Sequence, residues 1–151
     1  MGVDVRRMLV PVDGSKASER TFRWACRTAR ESKAELHAVY VIEVPWELSL
    51  EAEITEDINR GERILDRVEA IASEERCKNM QARFLRSRHP GPAIVMEAED
   101  RDIDLIILGI PYKRRLGSWN MGSTAEYIFH NALCQMVLWR TSAPSLASVR
   151  D

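Results

Sequence analysis

The feature that most constrains this chain is an alternation of two hydrophobic periods along its length. Short apolar runs, most of them β-branched, recur five times: RRMLVPV, AELHAVYVIEV, MQARFLRS, DLIILG and CQMVLWR. Between them lie stretches in which apolar residues return every three to four positions, the mark of an amphipathic helix. Strands separated by helices cannot pair as hairpins. They form a parallel sheet joined by right-handed crossovers, with helices on both faces. The expectation is one doubly wound α/β domain over residues 1–151, with an ordered core at about 6–141 and a loose tail at 142–151.

Each helical stretch carries its own signals. Ser15 or Ser18 can cap the first, whose stripe is Phe22, Ala25, Cys26 and Ala29. The second places Ile54, Ile58, Gly61, Leu65, Val68 and Ala72 on one face and is expected to run to about Lys78. Gly91-Pro92 opens a third, ending near Arg101, since proline suits a first turn. The fourth puts Ala125, Ile128, Phe129 and Ala132 on its inner face. MQARFLRS is more polar than the other strands, which predicts an edge or half-exposed position.

Bulk properties narrow the function. With 22 basic and 23 acidic residues the net charge is -1, which argues against nucleic-acid or membrane-surface binding as a global property. No apolar run approaches the roughly 18 residues of a membrane span, and the N-terminal stretch does not resemble a secretory signal, so a cytoplasmic location is expected. Cys26, Cys77 and Cys134 fit no metal or redox spacing and read as reduced thiols packed as small hydrophobes. His37, His89 and His130 are equally dispersed, so no metal site is expected.

Ligands of doubly wound sheets gather at the carboxyl ends of strands, where strand order reverses. Two strand ends carry suitable chemistry. One is Val12-Asp13-Gly14-Ser15; the other is Gly109 with the loop IPYKRRLGSWNMGST behind it. Asp13 can accept a hydrogen bond from a base amine or a ribose hydroxyl. Main-chain N–H groups at Gly122-Ser123-Thr124, at a helix start, suit a phosphate. The same residues also admit a plain structural account: an Asp-Gly-Ser turn, a helix cap at Ser123 or Thr124, and a solvated charge run at Lys113-Arg114-Arg115. The loop is neither a Walker A sequence nor a GxGxxG fingerprint.

Three blocks, MLVPVDGSKASERTFRWACRTA, GPAIVMEAEDRDIDLIILG and GSTAEYIFHNALCQMVLWR, together resemble the universal stress protein family. The resemblance implies a five-stranded parallel sheet of order 3-2-1-4-5, and a homodimer formed through the last strand at Gln135, Met136, Val137, Leu138 and Trp139. Its ATP-binding members share a loop of Gly, two residues, Gly, nine residues, then Gly and Ser/Thr. Laid on this chain, the pattern gives Gly109, Tyr112 and Gly122-Ser123: the spacing is kept and the second glycine is a tyrosine. The resemblance further implies that Asp13 and the main chain of Val41 hold adenine, with Pro11 and Val12 as the floor beside it. Gly109 would approach ribose and phosphates, Gly122, Ser123 and Thr124 would hold phosphate oxygens, and Ser15 would reach the phosphates.

Tyr112 is the departure with physical consequences. Glycine would permit positive φ and close approach to a ligand; a tyrosine in that geometry costs about 1–2 kcal/mol. Its ring has three places to go: into the crevice, blocking ATP; outward, leaving the site open; or over a bound base. Lys113, Arg114 and Arg115 could supply charge-assisted contacts to phosphates.

No catalytic constellation accompanies these residues, so a binding and regulatory module is expected, with at most slow ATP hydrolysis. ATP is the expected ligand, with Mg²⁺ only as a companion of its phosphates. The alternatives are a nucleotide-independent dimerisation or scaffold module of the same fold, a regulatory domain of a transporter, or a slow ATPase. An unknown protein partner would read the nucleotide state, and the link to stress comes only with the family name. Trp24 and Trp46 read as surface-packing or partner contacts, Trp139 lies near the expected dimer edge, and the acidic segment from Glu47 to Asp57 is a mobile approach that could cover the crevice.

Overall fold

The computed structural model describes residues 4–52, 55–112 and 122–143. Lys113, Arg114, Arg115, Ile54 and most of the C-terminal tail lie outside the described residues. In chain order the elements are β1 (Arg7–Pro11), α1 (Lys16–Ser32), β2 (Glu35–Glu43), α2 (Thr55–Glu74), β3 (Met80–Ser87), α3 (Pro90–Asp100), β4 (Leu105–Ile110), α4 (Ser123–Asn131) and β5 (Gln135–Arg140). The strands form one parallel sheet of order β3-β2-β1-β4-β5. β3 is an edge strand, as its polar pattern predicts.

The central position of β1 follows from its composition. Met8, Leu9 and Val10 are buried on both faces, and side-chain alternation sends them to two different cores. Met8, Val10 and Val12 pack with Phe22, Ala25, Cys26 and Ala29 of α1 and with Val68, Ile71 and Ala72 of α2. Leu9 joins Val39, Ile106 and Leu108 beneath Ile94 of α3 and Ile128 of α4. Each face of the sheet therefore carries a pair of helices. Burying such side chains contributes roughly 1.5–3 kcal/mol apiece, which offsets the entropy of ordering the strands.

Local chemistry sets the helix ends. Ser15 caps α1 by accepting the Ser18 N–H at 3.1 Å, and Lys33 ends it in the left-handed region at φ 59°. α2 stops at Glu74, short of the Lys78 expected from periodicity. The chain turns left-handed at Arg76 (φ 58°), and the Cys77 N–H returns to Ala72 O at 2.9 Å. Interhelical charge holds this turn. Arg23 Nη1 lies 2.9 Å from Glu74 and 3.0 Å from Glu75, Arg27 Nε lies 2.7 Å from Glu75, and Arg30 Nη1 donates to the Glu75 carbonyl at 2.6 Å. α3 begins at Pro90, one residue earlier than Gly91.

In α4 the expected inner face is corrected at one position. Ile128 is fully buried and Ala125 and Ala132 pack beside it, but Phe129 is 51% exposed. Successive helical residues point about 100° apart, so a stripe centred on Ile128 turns Phe129 toward solvent. Trp24 stacks on Trp139, with centroids 6.3 Å apart and planes at 14°, so both rings pack within the chain. Cys26 and Cys77 are free and buried in the same core cluster, as expected of reduced thiols packed as small hydrophobes. A thiol–thiol hydrogen bond, aided by burial, pushes the Cys26 thiol far up; the same bond lowers Cys77 to about 7 against the opposing effect of its burial. Among the described residues no helix is long and apolar enough to cross a membrane.

The arginine stripe of α1 holds the Glu75 carboxyl down at about 2, against an ordinary 4.5, through hydrogen bonds from Arg27 and then Arg23. A carboxyl lowered on folding stabilises fully above its ordinary value, and the stabilisation fades as pH falls through the folded value. Glu75→Gln should therefore lower the thermal midpoint by a few degrees at pH 7, and the difference from wild type should shrink between about pH 4.5 and 2. Thermal melts followed by circular dichroism across that range test this; equal midpoints at pH 7 would refute it.

Candidate nucleotide crevice

β1 and β4 are neighbours, and the chain leaves them toward opposite edges of the sheet, β1 toward β2 and β4 toward β5. Beyond their carboxyl ends lies a cavity of about 500 Å³. Pro11, Val12 and Asp13 form one wall, Val39 and Val41 a second, and Leu108 and Gly109 a third, while Gly122, Ser123 and Thr124 close it from α4. Residues from four separate blocks of sequence thus meet at one point. The lining also includes Ser18, Tyr40, Pro90, Ile94 and Pro111, which motif reasoning did not single out.

The first wall is a built turn. Val12 N–H donates to Val39 O at 2.8 Å, the last such bond before the chain leaves β1. Asp13 N–H then donates to the buried Ser18 hydroxyl at 3.1 Å, and Asp13 Oδ1 accepts the Ser15 N–H at 2.9 Å. Gly14 takes φ 85° to allow this turn. One carboxylate oxygen of Asp13 is thereby fixed, and the other has no partner among the described residues. Ser15 does not line this cavity. It caps α1 and borders a second cavity on the opposite face of the sheet.

Gly109 has a different reason to be glycine from the one the loop pattern suggests. It has no positive φ. A Cβ there would come within 2.8 Å of Thr21 Cβ and 3.2 Å of Ala17 O, and would overlap Thr21 Oγ1. Thr21 is fully buried, its hydroxyl donating to Ala17 O at 2.7 Å. The missing side chain is required by α1 crossing β4, leaving the opposite side of the strand to the crevice.

Gly122 is the converse case. Nothing lies within 4 Å of a Cβ there, but its φ of 96° favours glycine. It is the N-cap of α4 and, having no side chain, offers the first-turn N–H groups at Ser123 and Thr124 no acceptor of its own. That leaves an electropositive helix end on the cavity wall. Neither Ser123 nor Thr124 is the cap.

Tyr112 does not adopt positive φ, so the left-handed cost does not arise. Its N–H donates to Thr141 Oγ1 at 3.1 Å, and the Arg140 guanidinium lies 5.2 Å from its ring centroid. Both partners lie at the end of β5, and the ring is not part of the described cavity lining. On the far side, Arg88 orders the start of the acidic approach: its guanidinium sits 4.7 Å over the Trp46 ring and donates to Pro45 O and Leu48 O. Among the described residues no group of three or more His, Cys, Asp or Glu could hold a metal ion.

The fold and this crevice define a doubly wound α/β protein whose open site lies at its topological switch point. The profile of the universal stress protein family matches residues 4–140, and the chain belongs to that family. A universal stress protein of Methanocaldococcus jannaschii is 30% identical over 139 residues, covering 88% of this chain and 81% of the relative. The structure of a universal stress protein from Archaeoglobus fulgidus superposes with a TM-score of 0.75 at 23% identity, covering 88% of this chain and 97% of that one. Another A. fulgidus structure, in complex with dAMP, gives 0.71 at 20% identity over 90% and 98% of the two chains. A universal stress protein in complex with cAMP gives 0.70 at 18% identity over 91% and 98%.

Gly109→Ala should destabilise the fold by about 1–3 kcal/mol through overpacking against Thr21. Adding Thr21→Ala should recover part of that loss, because the hydroxyl is the nearest obstacle. Denaturant unfolding of the two single variants and the double variant measures the coupling; strictly additive effects would deny the contact its role.

Proposed function

We propose that this chain is an adenine-nucleotide-binding regulatory module that takes ATP in the crevice at the carboxyl ends of β1 and β4 and acts as a homodimer. The observation that carries the reading is the convergence of Asp13, Val41, Gly109 and Gly122-Ser123-Thr124 on one cavity. Universal stress proteins of the same fold have been solved with dAMP and with cAMP, which supports adenine as the base.

In this reading Asp13 offers its unengaged oxygen to the base or the ribose, and the Val41 main chain faces the base edge. Pro11 and Val12 supply its apolar floor. Gly109 lets the ribose and phosphates lie against bare main chain. The α4 N-terminus at Gly122, Ser123 and Thr124 takes the phosphate charge, with Lys113, Arg114 and Arg115 available from the same loop. Mg²⁺ would come with the phosphates rather than to a protein cage. The Tyr112 ring, held beside Arg140, rims the entrance.

Dimerisation is proposed through β5, whose outer edge has no neighbouring strand in the sheet. Leu138 is 37% exposed there, and Phe129 and Leu133 of the α4 region are also exposed. Val137 and Trp139 pack inward on the α1 side, so the partner would meet the strand edge and the Leu138 side.

Calorimetric titration of ATP tests the nucleotide site. Asp13→Ala should weaken binding about tenfold or more, while Tyr112→Gly should change affinity less than about threefold because the ring stands outside the cavity. No heat with wild type would favour the nucleotide-independent scaffold reading, and strong binding only in Tyr112→Gly would make the tyrosine a plug. Separately, Leu138→Arg should shift the elution of the protein in sizing chromatography from dimer to monomer with little change in thermal midpoint. Unchanged elution as a dimer would remove β5 as the interface.

A further inference from the structure

We propose that a second cavity, between α1 and α2, is a binding site for a small phosphate-bearing molecule with an apolar body. This cavity, of about 570 Å³, lies on the α1/α2 side of β1 at the carboxyl end of the strand, and shares Val12, Asp13 and Ser18 with the nucleotide crevice. Its volume falls in the range of small-molecule sites.

The distribution of charge on α2 is the leading observation. Arg60, Arg63 and Arg67 are the only basic residues of that helix, and all three line the cavity. The helix also carries Glu56, Asp57, Glu62, Asp66, Glu69 and Glu74, and none of these lines it. Spacings of three and four residues put the three guanidinium groups on one face. Arg67 Nε is held by Glu19 at 3.2 Å, whereas Arg60 and Arg63 form no ion pair or hydrogen bond among the described residues.

Two carboxylates also border the cavity: Glu19 is engaged by Arg67, and Asp13, one oxygen of which accepts the Ser15 N–H, borders the nucleotide crevice as well. That leaves two guanidinium groups one helical turn apart, a spacing that suits the several oxygens of a phosphomonoester better than a single carboxylate. The floor is apolar. Val12, Phe22 and Val68 are buried there, Ile64 is half-buried, and Gly14 passes so close that a Cβ would lie 3.1 Å from the Ile64 side chain. A molecule with a phosphate at the arginine rim and a ring or aliphatic body against Phe22 matches both surfaces. The net charge of -1 gives no support to a nucleic acid on this face.

The site does not rest on ATP binding in the crevice. Phenyl phosphate is the probe, followed by two-dimensional amide NMR of the full chain. Saturable shifts are expected at Gly14, Ser15, Ile64 and Val68, which border this cavity and not the crevice. The exposed double variant Arg60→Gln/Arg63→Gln should weaken them about tenfold or more, with an unchanged thermal midpoint and unchanged ATP affinity. Shifts confined to Gly122, Ser123 and Thr124, no shifts up to tens of millimolar, or equal affinity in the double variant would each overturn the proposal.

Discussion

The contact between Thr21 and Gly109 is the constraint on which the arrangement depends. A helix can lie across the end of β4 only where that strand has no side chain on the facing side, and Gly109 supplies the gap. Because α1 rests there, its first turn, with Ser15 and Ser18, stands beside the carboxyl ends of both β1 and β4. The Asp13 turn is then fastened to that helix through the Ser18 hydroxyl and the Ser15 N–H. Core packing and site geometry are consequences of one close approach.

The same economy runs through the loop residues. Ser15 closes a helix, Ser18 holds a main-chain N–H, and Asp13 spends one oxygen on a turn while the other stays available. A turn made of such residues needs no ligand to be ordered, so the crevice wall is pre-formed. Across the cavity, α4 begins at Gly122 with no side-chain cap bond, and its electropositive end borders the cavity. Tyr112 is accommodated because Thr141 and Arg140, at the end of the adjacent strand β5, take its N–H and its ring.

Much of this was legible in the residues. Short apolar runs alternating with amphipathic helical stripes dictated a parallel sheet between helix pairs, and the order 3-2-1-4-5 came with the family resemblance rather than from the alternation. Misjudged features depend on partners distant in sequence. The early end of α2 reflects Arg23, Arg27 and Arg30 reaching Glu74 and Glu75 from another helix. At Gly109 the loop pattern pointed to ligand approach, and the structure adds a packing reason that the sequence did not show, at Thr21, 88 residues earlier (109 minus 21). Phe129 was placed inward by allowing the apolar stripe one position too many.

The central claim is that an adenine nucleotide enters the crevice at the ends of β1 and β4 while Tyr112 stays at its rim. Amide-resolved NMR of the isotope-labelled protein during ATP addition tests it most directly. Saturable shifts with a common affinity are expected at Asp13, Val41, Gly109, Gly122, Ser123 and Thr124. Shifts absent from these residues, or clustered on another face of the sheet, would contradict it.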